Sequence, residues 1–407
     1  MTNKEVVTGA ARLIELGALA PEGDFALAPT GKGVLDGTTF AIKDLFDVAG
    51  RVTGCGNPDW RRTHEPARQH AAVVARLLEA GARAIGKTIT DELAFSLNGQ
   101  NFHYGTPRNS AVPERIPGGS SAGSAAAVAG HACDFALGTD TGGSVRIPAA
   151  LNGIFGIRPS HDAVDETGCM TLAESNDTVG WFARDAEMLR RVGEVLLPVD
   201  IGGSTTFGEV YLPRDAWALA RDAVAAALQP ARDRAVAAIG PAIGITLATE
   251  AGGLATWRQT FGFLQMREIW AQHGAWVEET RPHFGPEIAE RFALSKETAA
   301  EPMGEAAQFR ETITRRLDDM LSTGGVLIIP TAADIAPLKS LSAADSAAFR
   351  ASTLCLTCIA GLARLPQVTL PVGRVDGAPI GLSLIARKGR DRALLELAAR
   401  LAPLICR

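Results

Sequence analysis

The chain has 407 residues, 46% of them hydrophobic, which is enough apolar material for a large core. A formal net charge of −5 with no basic block argues against a nucleic-acid surface and toward a small-molecule partner. No run of about 18 apolar residues stands out, and the N-terminal MTNKEVVTGAARLIELG lacks the long apolar core of a signal peptide, so no membrane partner is expected and the expected location is the cytoplasm.

Residues 4–17 read as a short amphipathic helix, followed by a loop to about Gly37. Thr38 to Val48 alternates like a strand, with Phe40 and Ile42 on one face and Thr39, Ala41 and Lys43 on the other. Lys43 and Asp44 therefore point to opposite faces, and the adjacent carboxylate is not the obvious partner of the lysine. Ala71 to Ala80 is predicted helical and is stopped by Gly81, with a short strand over Ala82 to Ile85. Gly81 to Thr88 matches the phosphate-loop pattern G-x-x-x-x-G-K-[ST]. That motif needs a strand before the glycine and a helix after the lysine, whereas the order here is helix, glycine, strand, so nucleotide binding is not expected.

Residues 91–109, DELAFSLNGQNFHYGTPRN, read as a loop interleaved with aromatic residues that leads into the first of two Gly-Gly-Ser units, Gly118-Gly119-Ser120. The second is Gly142-Gly143-Ser144. Between them Ser124 to Ala129 is a helix of small residues, Cys133 to Leu137 a buried strand and Thr139 to Ser144 a turn. Ile154 to Ile157 is a further short strand. The segment 207–323 is more helical and more charged, and its Trp257, Phe261, Phe263, Trp270 and Trp276 form either core or a substrate wall. Val326–Pro330, Pro366–Gly373 and Pro379–Ala386 read as strands and Asp391 to Leu401 as a closing helix. Interleaved strands and helices without an evident linker predict a single α/β domain with a covered sheet. Its parts are a core at about 35–190, the segment 207–323 and a C-terminal portion at about 324–404. Cys55, Cys133, Cys169, Cys355, Cys358 and Cys406 are scattered, as free thiols in a reducing compartment are. Cys355-x-x-Cys358 lies in an apolar run and reads as core rather than as a redox pair. No histidine spacing suggests a metal.

Gly-rich loops that end in a hydroxyl suit the display of a nucleophile beside free backbone N–H groups. Gly119-Ser-Ser121-Ala-Gly123 also satisfies the G-x-S-x-G elbow of α/β-hydrolases, with Ser121 as nucleophile. That elbow needs a preceding strand and a late histidine, yet VPERIPGG is turn-like and the last histidine is His283. A serine activated by lysine is the other arrangement. The lysine must be neutral, which desolvation achieves, and Lys43 in an apolar strand meets that demand while an edge or surface lysine remains the alternative.

Three runs, FAIKDLF, GGSSAGSAAAVA and GTDTGGSVRIPA, resemble the amidase signature family, with similarity from about Leu35 to the C-terminus. Within it AIKDLFDVAGRVTGCGNPDW, NGQNFHYGTPRN and DTVGWFARD are most similar to plant-type indole-3-acetamide hydrolases. The resemblance implies a central mixed β-sheet covered by helices on both faces, and a Ser–cis-Ser–Lys triad carried by Ser144 as nucleophile, Ser120 as bridge and Lys43 as base. It further implies a cis Gly119–Ser120 bond, oxyanion donors on the backbone of Thr141, Gly142, Gly143 and Ser144, and substrate contact near Phe95 and Ser96. An amide substrate, no cofactor and no metal follow; a homodimer is compatible with the resemblance, although the sequence does not set the oligomeric state. Hydrolysis of an ester, carbamate or urea derivative on the same triad is the alternative, as is a role within a tRNA-dependent amidotransferase. Asp140 and Arg146 are expected to form a buried pair, and Ser121 and Ser124 to cap or pack the small-residue helix.

Overall fold

A computed structural model of the chain describes residues 3–200, 206–321 and 324–406. Ten strands form one mixed sheet: β1 (Thr39–Lys43), β2 (Arg83–Thr88), β3 (Phe135–Thr139), β4 (Phe155–Arg158), β5 (Val179–Ala183), β6 (Glu209–Pro213), β7 (Ala242–Ile245), β8 (Gly325–Pro330), β9 (Gln367–Val375) and β10 (Ala378–Ile385). Their order is β2-β1-β3-β5-β4-β9-β10-β8-β6-β7. Both ends of the sheet are parallel, β2 and β3 flanking β1 and β7 and β8 flanking β6, while the middle pairs are antiparallel.

Helices cover both faces, which is why most strands are buried along their whole length. On one face Phe40, Ile42, Phe135, Leu137 and Trp181 pack against the helices Ala72–Glu79, Ala186–Leu196, Asp222–Ile239 and Asp391–Ile405. On the other, Ala41, Ala136 and Phe182 meet the helices Asn3–Glu15, Ala122–Ala129 and Arg146–Asn152. Farther along that second face Leu327, Ile329 and Ile385 meet Leu254–Thr280, Gly304–Leu321 and Ala343–Ala363. The alternation expected for Phe40, Ala41 and Ile42 therefore holds.

The expected strand Thr38 to Val48 is shorter in fact. After Lys43 the chain turns, with Leu45 and Phe46 N–H both donating to the Lys43 carbonyl, and leaves the sheet. The Gly81–Thr88 segment follows the helix Ala72–Glu79 and is turn, then strand, and Lys87 lies in β2, where its ammonium is 3.0 Å from the Asp44 carboxylate. It is a buried ion pair and no phosphate cradle. The segment 207–323 contains two strands as well as helices. The helix Ala343–Ala363 has the length and apolarity of a membrane span, contrary to the expectation that no stretch of the chain does. It is a core helix here, with Leu356, Cys358, Ile359, Ala360 and Leu362 buried against β8 and β10. Cys355 and Cys358 sit on it as free thiols, and burial pushes both up.

The helix Ala122–Ala129 shows why small residues are needed. A Cβ on Gly123 would lie 2.7 Å from the backbone of Ile89, and Ser124 Oγ donates to Leu137 O at 2.7 Å. Only small side chains let the helix come this close to β3 and to the end of β2.

Candidate active site

The site lies on the second face, at the edge where β1 and β3 end. Lys43 closes β1, is fully buried, and donates from Nζ to Ser120 Oγ at 2.8 Å and to Thr139 Oγ1 at 2.7 Å. Burial pulls its pKa down to about 8, although the Asp91 charge works in the opposite direction. Asp44 is occupied by Lys87, so it leaves Lys43 without a carboxylate partner from its own neighbour, as the strand alternation requires.

Ser120 follows a cis Gly119–Ser120 peptide bond and precedes the helix Ala122–Ala129. Its carbonyl accepts from Asp91 N at 3.2 Å and Thr90 Oγ1 at 3.1 Å, which ties it to the end of β2. Asp91 is buried, and burial lifts it to about 6, even though Gly99 N–H donates to it at 3.1 Å. Ser121 does not cap the helix. Its hydroxyl is engaged by the Thr139 backbone, donating to O at 3.2 Å and accepting from N at 3.3 Å, which removes it as a free nucleophile.

Ser144 sits just before the helix Arg146–Asn152, 3% exposed, and its carbonyl accepts from Ser121 N at 3.3 Å. It is thereby joined to the Lys43–Ser120 pair through the backbone. Among the described residues no direct hydrogen bond links the two serine hydroxyls. The loop before Ser144 is fixed from three sides. Val145 and Arg146 N–H donate to Asp140 Oδ2 at 3.0 and 3.1 Å, Thr141 Oγ1 donates to Asp177 at 2.5 Å, and Thr357 Oγ1 donates to Gly142 O at 2.7 Å. Gly143 has φ +137°, a conformation that side-chain-bearing residues rarely adopt. Among the described residues the N–H groups of Thr141, Gly142, Gly143 and Ser144 donate to no protein acceptor. Four consecutive donors without a protein acceptor beside a hydroxyl are chemically able to bind an anion.

Asp140 and Arg146 do form the expected buried pair, at 2.7 Å, and Arg158 completes it at 3.3 Å. Burial pushes the Asp140 carboxyl up, but Arg146 and then Arg158 outweigh it and hold it below the usual carboxylate range. Arg146 also donates to Thr357 O at 2.6 Å and Gln367 Oε1 at 2.7 Å, so one guanidinium braces the Ser144 loop against β9 and the helix Ala343–Ala363.

Phe95 and Ser96, reached through Leu93 and Ala94 at φ +46° and +58°, line a cavity of about 20 Å³ that also touches Thr141, Gly142 and Ser144. Not legible in the sequence are Thr139, which shares Lys43 with Ser120, and the rest of the wall of this cavity, formed by Gln265, Arg291, Arg350 and Leu354. Of the aromatic cluster, Trp257 and Phe261 belong to the core behind this wall with Phe263 packed against it, and Trp270 and Trp276 lie partly buried in the cluster that holds Trp60 and Phe95.

The amidase family profile matches residues 16–208 and 265–395. Amidase 1 of Arabidopsis thaliana is 42% identical over 400 residues, covering 91% of this chain and 94% of that protein. Amidase 1 of Oryza sativa subsp. japonica is 41% identical over 400 residues, covering 92% of each chain. A solved amidase structure, 26% identical, superposes with a TM-score of 0.85 over 99% of this chain and 95% of its own.

Proposed function

This chain belongs to the amidase family, and from that premise we propose that it hydrolyses a carboxamide to an acid and ammonia or an amine through Ser144, Ser120 and Lys43, without a cofactor. The observation that carries the reading is the 2.8 Å bond from a buried lysine to Ser120, beside four free N–H donors that end at Ser144. In this scheme Ser144 Oγ attacks the amide carbon while its proton passes to Ser120, whose own proton passes to the neutral amine of Lys43. The contact between the two serines closes when substrate turns the Ser144 hydroxyl, as catalytic bonds commonly tighten on binding. The oxyanion is held by the 141–144 backbone, each donor contributing about 3 kcal/mol to the transition state. Collapse breaks the C–N bond, the proton returns through Ser120 to the leaving nitrogen, and water then hydrolyses the ester on Ser144.

The acyl group that the sequence resemblance favours is aryl-acetic, as in indole-3-acetamide. The cavity beside Ser144 is small, about 20 Å³, so short aliphatic amides belong in the same panel. Carbamates and esters share the acyl-enzyme route and are separated from amides by the same assay. Ser144→Ala and Lys43→Ala are expected to lower kcat on the best amide by at least about 10³-fold. Substantial turnover by pure Ser144→Ala protein would end this scheme.

A further inference from the structure

The wall facing Ser144 carries more positive charge than the protein itself balances. Arg291 is matched: it donates to Phe95 O and to the Glu287 carboxylate. Arg350 is not. Its side chain is mostly covered, its Nε is shielded from solvent with no partner, and among the described residues no carboxylate pairs with it and no group accepts a hydrogen bond from it. Burial and then the nearby Arg291 charge depress its pKa to about 9, Arg258 adds to that, and Glu287, already bonded to Arg291, offsets it only in part. A guanidinium that lines the cavity with no anion beside it has donors to spare, and its planar fork matches a carboxylate.

Its placement is not casual. Arg350, Leu354 and Thr357 fall on one stripe of the helix Ala343–Ala363, at spacings of four and three residues. Thr357 bonds the Gly142 carbonyl at 2.7 Å, Leu354 and Arg350 line the cavity that Ser144 also lines, and so the helix that fixes the nucleophile loop delivers the unmatched charge beside it.

Resting on the reading of Ser144 as the nucleophile, we propose that Arg350 forms an anion subsite next to it, so that an amide with a carboxylate a few bonds from the scissile carbonyl, as in the half-amide of a short dicarboxylic acid, is favoured over a neutral amide of the same length. The carboxylate supplies the missing partner of Arg350, while the amide carbonyl oxygen takes the free N–H groups of residues 141–144.

The test compares kcat/KM for succinamate and glutaramate with butyramide and pentanamide, in which a methyl group replaces the carboxylate. The wild-type enzyme is expected to favour the charged member of each pair by about 10- to 100-fold. Arg350→Met is expected to abolish that ratio and Arg350→Lys to keep part of it. A wild-type ratio near one, or a ratio unchanged in Arg350→Met, overturns the subsite. If indole-3-acetamide and other neutral amides are turned over through Ser144 and the half-amides are not, the subsite alone fails. If no amide is turned over at all, the catalytic reading fails, and calorimetry still decides the subsite. Succinamate binding to Ser144→Ala that is lost in Ser144→Ala/Arg350→Met supports it, and no binding to Ser144→Ala overturns it.

Discussion

In the proposed scheme Lys43 is a base only after it has lost its proton, and its surroundings set the pH at which that happens. Burial without a paired carboxylate brings it to about 8, so kcat/KM should rise about tenfold per pH unit below that value and level off above it. Asp91 is the largest opposing influence, because its charge favours the protonated amine. Asp91→Asn should therefore move the rising limb to lower pH, and a limb that stays in place or moves up contradicts this assignment of charges. Alternation along β1 made the lysine legible, since it placed Asp44 on the opposite face before any fold was known, and Asp44 is indeed taken by Lys87. Thr139 and Asp91 were not legible as members of the site. They come from a different strand and a different loop, and only three-dimensional closure brings them to the lysine.

At the scale of elements, the two Gly-Gly-Ser turns were readable because close backbone approach leaves a mark in composition. Gly119 is the sharpest case. A Cβ there would lie 2.3 Å from Asp91 Oδ2 and 2.7 Å from Gly99 N. Gly119→Ala should displace Ser120 from Lys43, abolish most activity and cost about 1–3 kcal/mol of stability in denaturant titrations. A stable, active Gly119→Ala protein contradicts the tight packing of this turn. The helix Arg146–Asn152 was missed for a reason that sequence spacing hides. Its N-terminal N–H groups are capped by the Asp140 side chain from across the Ser144 loop, and Pro148 sits where a local reading expects a break. The helix Ala343–Ala363 was obscured by its own apolarity, since residues buried against a sheet on one side and helices on the other lose the amphipathic pattern. Its start is better marked, with Ser342 accepting from Asp345 N as the N-cap.

Across the whole molecule, the sheet interleaves the segments that sequence order keeps apart. β4, from the first half, pairs with β9, and the C-terminal strands β9, β10 and β8 separate β4 from β6. A chain ending at residue 321 loses three adjacent central strands and exposes two open edges, so it is expected to aggregate rather than fold as a smaller domain. A soluble, cooperatively unfolding truncation contradicts the expectation of a single domain. An α/β class with a covered sheet was legible from the alternation of elements, but the strand order was not, because nothing local records that residue 156 pairs with residue 369. This long-range pairing is also what sets Gln367 under Arg146 and so braces the loop that carries Ser144.

The central claim is that Ser144 carries the acyl group. Rapid quenching of the enzyme with a reactive aryl ester, followed by intact mass and peptide mapping, tests it most directly. The account predicts a single acyl adduct on the peptide that contains Ser144, absent from Ser144→Ala and formed far more slowly by Lys43→Ala. An adduct on Ser120 or Ser121, or unimpaired acylation of the Ser144→Ala protein, contradicts it.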